Sequence, residues 1–139
     1  MRPAIALAAI GVIVGLILLV HALSAEADFL CSKYSITASG VNYYAPGYTK
    51  VINIADAAAK EISLNLRVKS QSRMFVIVYE EWDGGSRVLW SSGDTTYVSE
   101  TLNFNDTKGP VYVKIQILPA GAKPVRVSHL VEANYTVCP

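Results

Sequence analysis

The feature that most constrains the fold is a strict alternation of apolar and polar residues, which is clearest near the end of the chain. Odd-numbered positions of residues 125–137 are apolar except His129, and the positions between them are mostly polar. Successive side chains of a β-strand point to opposite faces, so this pattern predicts a strand with one buried face. His129 shares that face. We expect a hydrogen-bonded core or rim histidine there, and the alternatives are a ligand or a pH-sensitive group.

The same period recurs upstream and predicts several further strands. Residues 62–68 alternate, residues 74–82 are nearly continuously apolar, and Asp83-Gly84-Gly85 then predicts a hairpin turn before residues 88–90. Residues 98–104 and 111–117 also alternate, and weaker strands fit residues 34–39 and 48–55. Residues 55–60 fit one helical turn or a loop. The predicted fold of residues 29–139 is an all-β sandwich of seven to eight antiparallel strands, jelly-roll or Ig-like.

A long apolar segment precedes this domain. Its residues 3–25, which lie between Arg2 and Glu26, carry no charged side chain. A membrane-spanning helix needs roughly 20 mainly apolar residues, so residues 1–28 are expected to form one transmembrane-type α-helix. Arg2 lies before the segment, and the positive-inside rule then places the N-terminus in the cytoplasm and the β-domain outside the cell.

Two fates of this segment stay open. Ala25-Glu26-Ala27 fits a signal-peptide cleavage site, which would leave Asp28 as the first residue. Retention is favoured by the length of the segment and by a stripe of small residues that would let helices approach closely. The predicted helix-packing residues are Ala4, Ala8, Gly11, Gly15, Ala22 and Ala25.

Two cysteines and two glycosylation triplets are consistent with an exported domain. Cys31 and Cys138 are predicted to form a disulfide, since a metal site usually needs more ligands at closer spacing. Two unpaired buried thiols are the alternative. Asn105-Asp-Thr107 and Asn134-Tyr-Thr136 are predicted N-glycosylation sites.

The sequence carries no motif of an enzyme, cofactor site or nucleic-acid-binding protein. The net charge is +1, and lysines and arginines are scattered singly, which disfavours a nucleic-acid partner. The acidic run Glu80-Glu81-Trp82-Asp83 could hold Ca²⁺, but neighbouring strand residues face opposite sides, so no metal site is predicted. Exposed aromatics can contact a sugar or a protein, or pack locally. The candidates for such contacts are Tyr43, Tyr44, Tyr48, Trp82 and Trp90.

The layout of an apolar N-terminal helix followed by a β-domain of about 110 residues resembles that of archaeal type IV pilins and archaellins. The resemblance implies a bundle of helices coated by β-domains that are often glycosylated. Only Arg2-Pro3-Ala4 could serve as the prepilin cleavage site, and its proline departs from the family pattern. The β-domain also resembles jelly-roll accessory modules of secreted proteins.

The sequence therefore predicts a non-enzymatic structural subunit of a cell-surface assembly. Its partners would be the membrane and either further copies, in a homo-oligomer or filament, or other membrane-complex subunits. The alternative is a secreted or membrane-anchored binding module, with carbohydrate as a candidate ligand. A small enzyme is the least favoured class.

Overall fold

A computed structural model describes residues 30–139, which form seven β-strands. The strands are β1 (Ser32–Tyr44), β2 (Thr49–Ala55), β3 (Glu61–Trp82), β4 (Gly85–Ser91), β5 (Thr95–Asn105), β6 (Val111–Ile117) and β7 (Val125–Val137). Within residues 30–139, no helix is long and apolar enough to cross a bilayer. The predicted helix of residues 1–28, with its stripe of small residues, lies outside the described range.

The strands form one all-β sheet centred on β3. Its order is β1-β7-β3-β6-β2, and β4 and β5 also pair with β3. Residues 61–70 of β3 pair antiparallel with β5 and β7, whereas residues 74–82 pair antiparallel with β4 and β6. The sequence predicts two separate strands here, at 62–68 and 74–82. The structure instead joins them into one 22-residue strand.

Strand β3 must bend so sharply that its two ends lie close together. A straight strand of this length would span about 70 Å. The N–H of Thr107 donates to the carbonyl of Ala59, just before β3, and the carbonyl of Pro110 accepts from the N–H of Glu81. Thr107 and Pro110 are three residues apart, a reach of at most about 11 Å. The pairing with β5 is irregular between Lys69 and Met74, and the bend falls there.

The bend lets one face of a single strand enclose the core. The even-numbered side chains of β3 are buried along both halves, except half-buried Ser72 and Trp82. They meet the buried faces of β2, β6 and β7, which follow the alternation that the sequence predicts. The fully buried set includes Ile54, Ile62, Leu64, Met74, Ile115 and Ile117.

The predicted disulfide is present. Cys31 and Cys138 are bonded, with Cα atoms 4.2 Å apart, and they join the residue before β1 to the residue after β7. Residues Lys33–Val137 form one compact unit, and both cysteines lie outside it. The predicted hairpin is also confirmed, because Trp82 pairs with Gly85 across the turn. Ala55 is the last residue of β2, and residues 56–60 form a loop between β2 and β3.

Candidate functional site

The two halves of β3 present outward surfaces of opposite character. In the first half the outward side chains are Glu61, Ser63, Asn65, Arg67 and Lys69, which are all polar and exposed. In the second half they are Phe75, Ile77 and Tyr79, which are half-buried but lie on the face away from the core, followed by exposed Glu81. One side of the domain is therefore solvated, and the other carries apolar and aromatic groups.

We call the second surface the aromatic face. Directly opposite residues of antiparallel strands share a face, so the register assigns its members from β2, β3, β4 and β6. Its apolar and aromatic members are Val51, Phe75, Ile77, Tyr79, Val88 and Tyr112. The same register places polar side chains among them, which are Thr49, Asn53, Glu81, Ser86, Ser91, Lys114 and Gln116. Val51 is 48% exposed and Val88 59% exposed, so the edges of this face are open to solvent.

Its centre is a stacked tyrosine pair with a cation. The rings of Tyr79 and Tyr112 lie 5.3 Å apart between centroids, and the Lys114 ammonium is 5.6 Å from the Tyr79 centroid. Burial raises the pKa of the Tyr79 hydroxyl, with smaller contributions from Glu81 and Tyr112. The tyrosine therefore remains a neutral hydrogen-bond donor at physiological pH.

The polar side of the domain contains a groove of about 460 Å³, which we call the amide groove. Its lining combines amides, hydroxyls and one pair of opposite charges. The lining residues are Lys33, Tyr34, Ser35, Glu61, Ile62, Ser63, Asn103, Asn105, Asn134, Tyr135 and Thr136. Four adjacent strands, β1, β7, β3 and β5, contribute to it.

Register explains how this groove forms. Ser63 pairs with Asn103 on one side and with Asn134 on the other, so the three side chains form one row across the sheet. The Ser35 hydroxyl extends the row by donating to Oδ1 of Asn134 at 2.5 Å. On the core side of the same two strands, the rings of Tyr34 and Tyr135 stack with centroids 5.2 Å apart. The Tyr135 hydroxyl donates to the carboxylate of Asp56. Burial raises the pKa of this hydroxyl, and the negative charge of Asp56 raises it further.

Both predicted glycosylation asparagines line the amide groove, but their triplets differ in structure. Asn105 and Asn134 are both exposed. Thr107 of the first triplet is buried, and its hydroxyl accepts from the N–H of Ala59 at 2.7 Å and donates to the carbonyl of Gly109 at 3.2 Å. Thr136 of the second triplet is half-buried in β7.

The predicted tyrosine contacts lie together at the turn between β1 and β2. Tyr44 and Tyr48 stack with centroids 4.7 Å apart and planes 3° from parallel. Tyr44 packs against the core, whereas Tyr43 is 65% exposed and lies outside this pair. Two of the three tyrosines thus pack on each other, and Tyr43 offers the free ring.

The two predicted tryptophans occupy different environments. Trp90 pairs with Val78 and packs against the core, so it is placed as a structural side chain. Trp82 ends β3, half-buried, with the Lys108 ammonium 5.1 Å from its ring centroid. A shallow depression lies beside it, lined also by Asp83 and Pro110.

The predicted acidic run holds no metal-binding arrangement. Glu80 is completely buried, and its carboxylate accepts from the N–H of Lys108 and from Nε of Arg87 at 2.7 Å. Glu81 and Asp83 are exposed. In residues 30–139, no group of three or more potential metal ligands comes together. Glu80 fastens the β5–β6 loop to the end of β3, a role that the sequence does not reveal.

His129 is buried on the core face of β7, as its position in the alternation predicts. Contrary to expectation, its ring makes no hydrogen bond to the described residues. A Cβ added at Gly40 would lie 3.3 Å from the imidazole Cε1, so the glycine lets β1 approach the ring. Burial lowers the pKa of the imidazole, and the charge of Lys50 lowers it further. The ring is therefore neutral near pH 7.

Comparison with known proteins gives the chain no family. No family model matches the sequence, and no curated protein matches it. Among solved structures, a protein of Bacillus endospore appendages, described as disulfide-linked pili, is 12% identical with a TM-score of 0.41 over 76% of this chain and 91% of its own. The SPBc2 prophage-derived protein YomS is 13% identical with a TM-score of 0.44 over 77% and 95%. A carbohydrate-binding module of family 29 is 16% identical with a TM-score of 0.40 over 74% and 88%.

Proposed function

We propose that this chain is a non-enzymatic structural subunit of a cell-surface assembly. Residues 1–28 would form a helix that anchors the chain and packs against other helices, with its N-terminus in the cytoplasm. Residues 29–139 would form an extracellular domain that contacts a neighbouring copy through the aromatic face. An archaeal pilin-like filament is the specific form of assembly that the sequence layout favours.

The observation that carries the proposal is the change of character along the outward side of β3. Its polar half is what a solvated sheet face requires, because antiparallel sheets commonly keep one face in water. The half with Phe75, Ile77 and Tyr79 departs from that pattern without adding to the core. A contiguous apolar patch at the surface of a domain marks an interaction site.

A second copy of the chain is the occupant that fits this face best. The face joins six apolar or aromatic side chains, and its charged side chains are Lys114 and Glu81, one of each sign. Obligate contacts between identical subunits are more apolar than transient contacts. The aromatic pair at the centre, with open valines at the edges, matches the usual arrangement of anchor residues within a surrounding rim.

Site-specific photo-cross-linking of the full chain tests this contact. A photoreactive amino acid in place of Val88, at the exposed edge of the aromatic face, should yield covalent dimers of the chain. The matched control replaces Ser99, an exposed residue of β5 that pairs with Arg67 on the polar side. The control should yield no dimer.

Equal dimer yields from the two positions would contradict the aromatic face as the contact. Dimers from Ser99 alone would place the contact on the polar side. The mass of the native chain tests the anchored form separately. A chain beginning at Ile5 would support a pilin, one beginning at Met1 would support an anchored complex subunit, and one beginning at Asp28 would contradict the helix-based assembly.

A further inference from the structure

We infer that the amide groove binds a saccharide without net charge. This site is independent of the aromatic face and of the proposed assembly. It lies on the opposite outward surface, and its ligand chemistry follows from the side chains that meet there. Its polar groups can recognise sugar hydroxyls, which both donate and accept hydrogen bonds.

The groove holds hydrogen-bonding capacity that the described residues do not use. The side chains of Asn103, Asn105 and Ser63 make no hydrogen bond to any of them, and the amide nitrogen of Asn134 has no acceptor. Each side-chain amide carries two donors and one acceptor oxygen, and each hydroxyl can both donate and accept. A sugar hydroxyl has the same dual character, so one ring can meet several of these groups together.

The asparagines in these strands are a second indication of a ligand site. Asparagine is depleted in β-strands because its short polar side chain gains little on a pleated surface. Yet Asn103, Asn105 and Asn134 all lie in strands, and register gathers them around one groove. Threonine or valine would suit the strands better. The asparagines therefore lower the strand propensity of β5 and β7. Ligand recognition explains why they are there.

The shape follows from the small side chain at the centre. Ser63 on β3 forms the floor, and longer asparagines on β5 and β7 flank it. Those flanking strands lie about 10 Å apart, since neighbouring strands are separated by about 4.8 Å. A single pyranose ring fits between them, and a chain of such rings could follow the strand direction.

The charges of the lining narrow the ligand class. Lys33 and Glu61 contribute one charge of each sign to the lining. The groove therefore has no net charge and favours a neutral saccharide over an anionic one.

The saccharide could reach the groove from two sources. It could be a free polysaccharide of the cell surface, or a glycan attached at Asn105 or Asn134, which both line the groove. The recognition chemistry is the same for both. The full chain produced without glycosylation isolates the first source, and the chain from its native host reports the second.

NMR titration of the unglycosylated full chain in detergent tests the free source. The probes are cellohexaose, chitohexaose and maltohexaose, and the readout is the side-chain NH₂ signal of each asparagine. Binding should shift the signals of Asn103 and Asn134 but not of Asn53, which lies on another strand and donates to Ala55. Asn103→Ala and Ser63→Leu should each weaken binding at least tenfold, whereas the control Ser99→Ala should not.

For the attached source, the native chain should show a mass excess that Asn134→Gln or Asn105→Gln removes. Loss of the glycan should also shift the Asn103 NH₂ signal. Either positive result supports the groove as a saccharide site and identifies its source. The inference is overturned if no probe shifts the groove signals and the native chain carries no glycan that contacts Asn103. Binding that Asn103→Ala and Ser63→Leu leave unchanged would also overturn the free-ligand form.

Discussion

The backbone N–H of Lys108 donates a hydrogen bond to Oε1 of Glu80, 2.5 Å away, and so ties the β5–β6 loop to the far end of β3. One residue earlier in the loop, Thr107 is bonded to Ala59, at the near end of the same strand. The loop thus holds both ends of a strand whose bend creates the core and separates the two outward surfaces. We therefore expect substitutions at the contacts between this loop and β3 to lower the free energy of unfolding.

Replacing Glu80 with glutamine should lower the free energy of unfolding by about 2 kcal/mol, because hydrogen bonds to a charged partner typically contribute 1.5–3 kcal/mol. The change preserves shape but weakens the bonds from Arg87 and the Lys108 N–H. Urea unfolding gives the value. The matched control is Glu81→Gln at the exposed neighbouring position, which should change stability little. Equal effects from the two variants would contradict the role of Glu80.

Gly109 should tolerate no side chain. A Cβ built there would lie 2.0 Å from the carbonyl oxygen of Glu81, so Gly109→Ala must displace the loop from the end of β3. We expect a loss of about 3 kcal/mol, at the upper end of overpacking effects. In Gly93→Ala, by contrast, no atom lies within 4 Å of the added Cβ, and only the positive φ of 72° is unfavourable. Thermal unfolding should give Gly109→Ala a clearly lower Tm than Gly93→Ala, and the reverse order would contradict this account.

The disulfide should contribute strongly to stability, because Cys31 and Cys138 are separated by 107 residues. The chain-entropy estimate for such a loop is about 4–5 kcal/mol. Urea unfolding with and without reductant should show a decrease of this order, and the double variant Cys31→Ser with Cys138→Ser should no longer respond to reductant. Coincident unfolding curves for oxidised and reduced protein would contradict the estimate.

Stability should fall as the pH is lowered below the ordinary pKa of histidine, about 6.5. Burial lowers the folded-state pKa of His129, so the unfolded chain takes up the proton first and is favoured as pH falls. The stabilisation is complete above pH 6.5, and its slope below is at most about 1.4 kcal/mol per pH unit. Among charged groups, Lys50 also lowers this pKa, whereas Arg67 and Lys69 lie on the outward face of β3.

Urea unfolding between pH 4.5 and 7.5 measures that slope, and His129→Gln provides the comparison. The variant should lose the part of the slope that belongs to this imidazole, while the contribution of carboxylates at lower pH remains. Identical slopes in the two proteins would show that His129 does not carry the dependence.

The strands were predictable because their alternation is local. The buried faces of β6 and β7 and the hairpin at Asp83 follow directly from residue order. The continuity of β3 did not, since the polar residues 70–73 resemble a turn between two strands. The bend depends on hydrogen bonds from Thr107 and Lys108, which are distant in sequence from the ends of β3 that they contact.

The candidate sites were less predictable because each is assembled by register. Ser63, Asn103 and Asn134 come from three strands and form a row only when the strands pair. The one local sign was asparagine within alternating segments. Trp90 illustrates the opposite difficulty, because an aromatic residue beside a turn gives no sign in the sequence that it packs against the core.

The particle mass of the full chain in mild detergent tests the proposed assembly most directly. Light scattering, corrected for bound detergent, should give a protein mass several times the 15.0 kDa of one chain. Val88→Glu on the aromatic face should reduce that mass, whereas Ser99→Glu on the polar side should leave it unchanged. A wild-type particle containing a single chain would contradict the account.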